Sequence, residues 1–288
     1  MSDRTAPLRR LVGHAIHGAI LAMVALTVLT YGAILFDIAL SGIGGLDLDY
    51  LTTAPQMSGR AGGVLPILVS TLVVLAVAVL AALPVSLCAA LFVTEILLPN
   101  SAWARMFRAS LLVLACVPSI AFGFFGAEVF GRGLGFGVSL LTGGLTLATM
   151  IVPICAFALV ETFRLLPCGY RYGALALGAS RSRFIFQVLL PLSLPQILSI
   201  LMLGMGRALA ETAALLFTSG YSDRMPQSLL DPGRVLSVHI YDLAMNIPGG
   251  DRSAATAALL LVGMFLIVSA GVLLISSRMQ SSRGALHA

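Results

Sequence analysis

The segment ETFRLLPCGYRYGALALGASRSRFIFQVLLPLSLPQI, residues 161–197, separates two long apolar runs and contains four arginines. It divides at Gly178 into two amphipathic pieces. Glycine suits the end of a helix, where a positive φ is favoured, and Ala179-Ser180 can begin the next helix. The pattern predicts two short helices joined at Gly178, the second ending at Pro191. The alternative is a surface loop that only connects its neighbours.

The composition around this segment is typical of a membrane protein. Of 288 residues, 59% are hydrophobic and 10% are charged, and the mean hydropathy is +1.02. A soluble domain needs far more polar surface. Segments able to cross about 30 Å of hydrocarbon must be helical, because lipid offers backbone groups no other partners. We therefore predict an all-α membrane protein with about six transmembrane helices, at residues 11–36, 64–93, 110–130, 137–160, 196–218 and 254–276.

The arginines predict the orientation of these helices. If the N-terminus is cytoplasmic, eleven arginines fall in cytoplasmic segments and five in extracytoplasmic segments, while Arg207 alone lies within a span. Cytoplasmic loops of membrane proteins carry the excess of positive charge. We expect both termini to be cytoplasmic, and we expect the first span to be an uncleaved anchor rather than a signal peptide.

Several function classes are excluded or disfavoured by composition. The chain has no lysine, so it contains neither a Walker A loop nor a Schiff-base amine. The four cysteines form no CxxC pair and are interpreted as small buried hydrophobic residues, and the four histidines form no metal-binding motif. The arginines are not gathered with aromatic residues into a basic face. We expect no catalytic residue, no metal site and no nucleic-acid partner.

The stretch GRALAETAALLF, residues 206–217, places two charges in an apolar run. With the span starting near residue 196, Arg207 lies about 16 Å along the helix, close to the bilayer midplane. An isolated charge there costs about 2.5 to 3.5 kcal/mol on insertion scales. Glu211, four residues on, is predicted to share the same helix face, so the two side chains can form an ion pair that only locks helices together.

The functional interpretation of the same stretch is an anion site on a transport path. A guanidinium group presents a rigid fork to oxyanions and keeps its charge when desolvated. Glu211 then positions Arg207, and Thr212 adds a hydroxyl group. Ser119, next to Pro118 in the third span, is another candidate for lining the path. A proline kink that serves packing alone is the alternative for this pair.

The loop at residues 161–197 resembles the cytoplasmic loop of ABC importer membrane subunits. That family has Glu-Ala-Ala, three residues, Gly, nine residues, Ile, any residue and Leu-Pro. Here Tyr172-Gly173-Ala174, Gly178 and the segment from Val188 to Pro191 match with every spacing kept. The resemblance implies a coupling helix that sits in a cleft of the ATPase subunit. Tyr172 replaces the family's usual glutamate, whereas the docking shape is retained.

Further stretches resemble phosphate importers of the PstA/PstC type, and PstA in particular. They are LPVSLCAALFVTE at residues 83–95, VPSIAFGFFG at residues 117–126 and GRALAETAALLFTSG at residues 206–220. The resemblance covers residues 62–279, most of the chain. Ala210 and Ala214 stand where the family usually has glycine and proline, so we expect a straighter helix here than in relatives.

The resemblance implies the type I ABC importer permease fold in a bacterial cytoplasmic (inner) membrane. The expected organisation is a tail, first helix and extracytoplasmic loop in residues 1–61, the permease domain in residues 62–279 and a cytoplasmic tail in residues 280–288. This chain is expected to form the translocation path for phosphate and to bind no cofactor, while ATP and Mg²⁺ bind partner ATPase subunits.

The resemblance also implies partners. These are a second, related permease subunit and an extracytoplasmic phosphate-binding protein, which the loop at residues 219–253 is suited to meet. Two alternatives stay open: a permease for another oxyanion such as sulfate or molybdate, and an ATP-independent secondary transporter in which Arg207 and Glu211 relay protons.

Overall fold

A computed structural model describes residues 6–97 and 101–284, and these are almost entirely helical. The predicted tail residues 1–5 and 285–288 lie outside the described residues. The helices are α1 Ala6–Gly42, α2 Leu48–Thr52, α3 Leu65–Leu91, α4 Ala102–Ala115, α5 Ser119–Gly126, α6 Leu140–Arg164, α7 Cys168–Ala176, α8 Arg181–Phe184, α9 Leu190–Leu209, α10 Ala213–Thr218, α11 Leu236–Met245 and α12 Asp251–Gly284.

Five helical stretches are long and apolar enough to cross a membrane, and a sixth span is counted if α4 and α5 are taken together. This confirms the prediction of about six spans. The third span, however, is not the continuous helix predicted for residues 110–130, because α4 and α5 meet at 94°. Pro118 lies at the junction, where its missing N–H and fixed φ interrupt the helix.

The second amphipathic piece of the 161–197 segment does not end at Pro191 as predicted. Helix α8 passes into a wide π-helical turn at Ile185–Leu189 and continues as α9, so that one run extends over Arg181–Leu209. Pro191 is the second residue of α9 and directly follows this wide turn, so its missing N–H falls where the α-helical bonding pattern is already interrupted. The wide turn explains why the helix continues where the sequence predicted a stop.

The centre of the bundle is the packing of α3 against α6. Val74, Leu147 and Ile151 are buried there in one apolar cluster. Gly144 lets the two helices approach closely, because a Cβ at this position would lie 2.5 Å from Cγ1 of Val77. Small residues allow such close contacts between membrane helices. The broken elements α5, α9 and α10 are arranged around this pair and thereby positioned by it.

Helix α1 lies at the edge of the described bundle and contacts α12. Gly42 lies against the backbone of Ala255, since a Cβ on Gly42 would be 2.6 Å from that carbonyl oxygen. Most apolar side chains of α1, such as Leu26 and Leu29, are exposed. An apolar surface of this kind suits contact with lipid.

At the end of the bundle where α6 begins, the chain forms a compact cap. A two-residue antiparallel ladder pairs β1 Pro55–Gln56 with β2 Ala61–Gly62. The segment predicted as a loop over residues 219–253 contains α11, whose residues Leu236 and Leu243 are fully buried. The apolar pattern of α11 extends over too few residues to predict a helix from the sequence alone.

Candidate functional site

Arg207 lies in the last turn of α9, and its side chain is exposed. The helical run begins at Arg181 rather than near residue 196 as predicted, so Arg207 lies roughly 39 Å along the run and close to its end. Its Nη2 atom is 4.0 Å from the sulfur of Met150 on α6. A positive charge in the last turn interacts favourably with the helix dipole.

Glu211 lies just after α9, where the helix is interrupted before α10. Its Oε1 accepts a hydrogen bond from the backbone N–H of Ala214 at 3.3 Å. Its backbone carbonyl accepts one from the hydroxyl of Ser237 at 2.7 Å. The residue is 6% exposed. Glu211 therefore uses its polar groups to begin α10 and to bind the first turn of α11.

The structure contradicts the prediction that Arg207 and Glu211 share one helix face. No ion pair involving either residue occurs within residues 6–97 and 101–284. Thr212 has φ −117° and ψ −48° and separates α9 from α10. The helix is interrupted here although residues 210–214 contain neither glycine nor proline. The carbonyl of Glu211, which a continuous helix would bond internally, accepts from Ser237 instead.

Ser119 and Thr212 lie beside this break, and neither side chain is hydrogen-bonded to Arg207, whose Nη2 faces Met150. Both are half-buried, Ser119 at the start of α5 and Thr212 just before α10. The two short helices pack tightly, because a Cβ on Gly123 would be 2.9 Å from Cα of Ala214. The rings of Phe124 and Phe217 lie 4.6 Å apart. Two interrupted membrane helices thus meet close to Arg207.

The predicted coupling segment forms an exposed elbow at the opposite end of α6. Gly178 has φ +74°, which ends α7 in the conformation predicted for it. The hydroxyl of Ser180 caps α8 by accepting from the backbone N–H of Arg183. Tyr172 and Gly173 are exposed and Ala174 is half-buried.

One face of α7 is open to the surroundings. Tyr172 is 68% exposed, Leu175 54% and Leu177, just beyond the helix, 89%. Such apolar and aromatic exposure suits a protein partner. Pro191 is not part of this elbow, because it belongs to α9.

A charged pair that the sequence analysis missed joins α7 to the end of α3. The guanidinium of Arg171 binds the carboxylate of Glu95, which is only 3% exposed in its side chain. Arg171 also lies over the ring of Phe184 at 5.6 Å. The sequence feature that could have indicated this pair is a single acidic residue, Glu95, at the end of an apolar span.

A second missed cluster surrounds Arg234, which is 8% exposed. Its Nε lies 3.1 Å from Oδ1 of Asp223 and its Nη1 3.4 Å from Oδ2 of Asp242. The Asp223 contact is a charge contact without hydrogen-bond geometry, since both atoms lack such a partner. Burial raises the pKa of Asp223, and Arg234 opposes that rise.

His239 completes the Arg234 cluster. It is 1% exposed, and its Nδ1 lies 3.3 Å from Nη1 of Arg234. Burial, reinforced by Arg234, lowers the pKa of His239 to about 4. The neutral imidazole accepts from the guanidinium, so His239 provides a partner for one buried N–H group of Arg234.

The described residues contain no cluster of three or more histidine, cysteine or acidic side chains able to hold a metal. The cysteine interpretation was wrong in part, because only Cys155 is buried, whereas Cys88, Cys116 and Cys168 are exposed. Cys88 lies within the apolar helix α3, and Cys116 directly follows the apolar helix α4. Both side chains therefore face away from the rest of this chain.

Interrupted transmembrane helices around a charged residue, together with an exposed elbow at one end, define a multi-pass membrane transport subunit. Residues 82–281 match the family described as "Binding-protein-dependent transport system inner membrane component", and the chain belongs to this family. It is therefore a multi-pass inner membrane permease component. The PstA/PstC resemblance is confirmed at the family level.

Curated relatives cover most of the chain. It is 33% identical over 248 residues to "Phosphate transport system permease protein PstC" of Haemophilus influenzae, covering 77% of this chain and 76% of that protein. It is 32% identical to PstC 1 of Mycobacterium tuberculosis, covering 73% and 69%. It is 28% identical to "Probable ABC transporter permease protein YqgI" of Bacillus subtilis, covering 80% and 83%.

Solved structures show the same fold at low sequence identity. A chain of a bacterial alginate ABC transporter, in complex with an alginate-bound periplasmic protein, matches with TM-score 0.67 and 12% identity, covering 96% of this chain and 97% of that one. A chain of the MetNI methionine ABC transporter matches with TM-score 0.58 and 18% identity, covering 75% and 94%. These matches confirm the type I importer permease fold.

Proposed function

We propose that this chain is a permease subunit of an ATP-driven importer for inorganic phosphate and forms part of its translocation path. The names of the PstC relatives support the substrate, because their similarity extends over about three quarters of the chain. The proposed partners are a second permease subunit, two cytoplasmic ATPase subunits that bind ATP and Mg²⁺, and an extracytoplasmic phosphate-binding protein.

The single observation that supports a particular anion site is the exposed guanidinium of Arg207. It lies at the end of an apolar helical run, and none of the carboxylates in residues 6–97 and 101–284 neutralises it by an ion pair. A charged side chain in a membrane bundle faces a cavity, a water path or another subunit rather than lipid. Arg207 is thus proposed to attract the anion where the two permeases meet.

The other proposed path residues have different parts. The hydroxyls of Thr212 and Ser119 are assigned secondary contacts with the anion as it passes the junction of α5 and α10. Glu211 is assigned the interruption itself, because its carboxylate and carbonyl hold α10 and Ser237 in place. A fixed interruption keeps backbone groups available beside a membrane path.

The elbow formed by α7 and Gly178 is proposed to dock on an ATPase subunit. Its exposed Leu175 and Leu177 offer an apolar contact surface, and the absence of lysine leaves ATP hydrolysis to the partner. Closure of the ATPases then moves α7, and the bundle alternates its access around the path as rigid bodies.

The opposite end is proposed to face the phosphate-binding protein. Residues 233–239 of the predicted contact loop are buried, so the contact is assigned to the exposed part around Arg224, Met225 and Leu229. With α7 cytoplasmic and this cap extracytoplasmic, both termini are cytoplasmic.

The decisive experiment is ATP-dependent uptake of radiolabelled phosphate into vesicles that contain this chain with its proposed partners. Arg207→Ala is expected to abolish uptake while the complex still assembles. Arg207→Lys is expected to transport poorly, since an ammonium group lacks the planar fork. Arg132→Ala is the matched control, because Arg132 is an exposed arginine at 82% side-chain exposure.

Two outcomes of that experiment would contradict parts of the proposal. Normal uptake in both Arg207 variants removes Arg207 from the path and leaves the permease function intact. Wild-type uptake of sulfate or molybdate in place of phosphate would identify another oxyanion as the substrate.

Docking on an ATPase separates the importer from a secondary transporter. A deletion through Pro191 would damage α9, so Leu175→Asp, on the exposed face of α7, is the sharper change. It is expected to abolish copurification with the ATPase and ATP-dependent uptake. Uptake that persists without ATPase binding would support a secondary transporter instead.

A further inference from the structure

Glu95 is a buried carboxylate at the end of α3. It lies in a π-helical turn, Phe92–Ile96, that ends α3, and the backbone N–H of Leu97 closes this turn on the carbonyl of Phe92 at 3.1 Å. Such wide turns are enriched at functional sites. The side chain is 3% exposed, and a buried charge is strongly destabilising without a partner.

The partner of Glu95 comes from the coupling elbow. Arg171 lies in the middle of α7, a helix that has no fully buried residue of its own. Its guanidinium binds Glu95 and lies over the buried ring of Phe184, the residue that leads into the turn before α9. Arg171 therefore joins the elbow to the ends of two membrane-spanning helices.

Few other contacts hold α7 to α3 at this point. A groove of about 460 Å³ lies between them and is lined from both sides, by Thr94 and Tyr172 among others. Ala174 adds an apolar contact to the cluster around Phe163. Across the groove, the ion pair is the direct polar connection that the structure shows.

We propose that the Glu95–Arg171 pair is the strut that transmits movement of the α7 elbow to α3 when the ATPases close. The proposal rests on the proposed docking of α7, and it assigns both residues a positioning role rather than contact with substrate. A pull on α7 moves the end of α3 because separating the buried Glu95 carboxylate from Arg171 is costly, and Glu95 has no other ion-pair partner within residues 6–97 and 101–284. Arg181 adds a second favourable charge near Glu95.

The test measures coupling rather than activity alone. In the reconstituted complex, Glu95→Gln and Arg171→Gln are expected to assemble and to hydrolyse ATP, whereas phosphate moved per ATP falls about fivefold or more. In the double variant, phosphate moved per ATP is expected to fall no further than in either single variant, because each single variant already removes the same ion pair. Glu95→Asp, which keeps the charge, is expected to restore part of the ratio.

Arg108→Gln is the matched control. It removes an ion pair between α4 and α6, with Glu161, without touching α7. It is expected to leave phosphate moved per ATP unchanged. An equal loss in this control, or an unchanged ratio in the Gln variants of the strut, overturns the proposal. If Arg171→Gln does not assemble because it leaves the buried carboxylate without this partner, Glu95→Gln decides, since it removes the buried charge itself.

A substrate-independent measurement keeps this test separate from the identity of the transported ion. Spin labels on native Cys168 and on Ile96→Cys, with the other cysteines replaced by alanine, report the separation of α7 and the α3 end by pulsed EPR. The strut predicts the same distance with and without trapped nucleotide, and a nucleotide-dependent change in Arg171→Gln. An equal change in both proteins overturns the strut even if phosphate transport is confirmed.

Discussion

Arg234 connects three segments of the cap at the beginning of α6. It binds Asp223 in the chain after α10 and Asp242 on α11, and it lies 5.5 Å from the ring of Tyr221. A buried guanidinium with two carboxylates is strongly destabilised if one partner is lost. This arrangement explains why a segment with no long apolar run is nevertheless ordered.

His239 gives this cap a pH dependence. Its pKa is about 4 in the fold, against an ordinary 6.5, first because it is buried and then because Arg234 is close. The unfolded chain therefore takes up the proton first as pH falls, and stability present above pH 6.5 is lost between 6.5 and about 4. The loss is about 3 kcal/mol at most.

The check is thermal unfolding in detergent, followed by circular dichroism from pH 7 to pH 4. His239→Asn keeps an acceptor toward Arg234 and does not titrate, so its midpoint is expected to fall less steeply. Asp223, whose pKa is raised by burial, increases the stability of both proteins as pH falls and so opposes the effect of His239. His17→Asn, on the exposed α1, is expected to match wild type. Equal slopes for His239→Asn and wild type would refute this account.

Gly126 sets how closely α5 packs on α6. A Cβ there would lie 1.9 Å from Oγ1 and 2.7 Å from Cγ2 of the buried Thr146. Gly126→Ala is therefore expected to destabilise the protein by about 1 to 3 kcal/mol, as overpacking does. Thermal unfolding measures this. Gly263→Ala in α12, where no atom lies within 4 Å, is the control and is expected to be neutral or slightly stabilising.

At the scale of elements, the interruption between α9 and α10 separates what the sequence placed together. Arg207 and Glu211 satisfy the i, i+4 spacing only if the helix is continuous. The tertiary bond from Ser237 to the carbonyl of Glu211 joins residues 26 apart in the chain. Local spacing contains no information about that bond, and for this reason the predicted pairing of Arg207 with Glu211 was wrong. That this segment lines the transport path stays a prediction.

A double-mutant cycle tests this separation. Glu211→Gln keeps an oxygen that accepts from Ala214, so it is expected to change stability little. The coupling free energy between Arg207→Ala and Glu211→Gln, from unfolding in detergent, is expected to be within about 0.5 kcal/mol of zero. A coupling well above 1 kcal/mol would show that the two side chains pair in solution.

For the whole molecule, features fixed by local sequence were predicted and features fixed by distant contacts were not. The number of spans follows from apolar length, and the elbow follows from Gly178 and the capping Ser180. The ion pair of Glu95 with Arg171 joins residues 76 positions apart, and the ion pairs of Arg234 with Asp242 and Asp223 join residues 8 and 11 positions apart. No local pattern predicts which of these charges meet.

The orientation of the molecule gives its remaining prediction. The segment from Arg164 to Arg183, which contains four arginines and includes α7, lies at the opposite end of α6 from the cap around Asp231. Helix α7 follows the end of α6, and the backbone N–H of Leu140, the first residue of α6, donates to the Asp231 carbonyl. The positive-inside rule therefore predicts cytoplasmic α7 and an extracytoplasmic cap. In intact cells, an impermeant thiol reagent is expected to label Leu229→Cys but not native Cys168, with the other cysteines replaced; both positions are exposed. Labelling of Cys168 before permeabilisation, with Leu229→Cys protected, would reverse the orientation and remove α7 from the reach of a cytoplasmic ATPase.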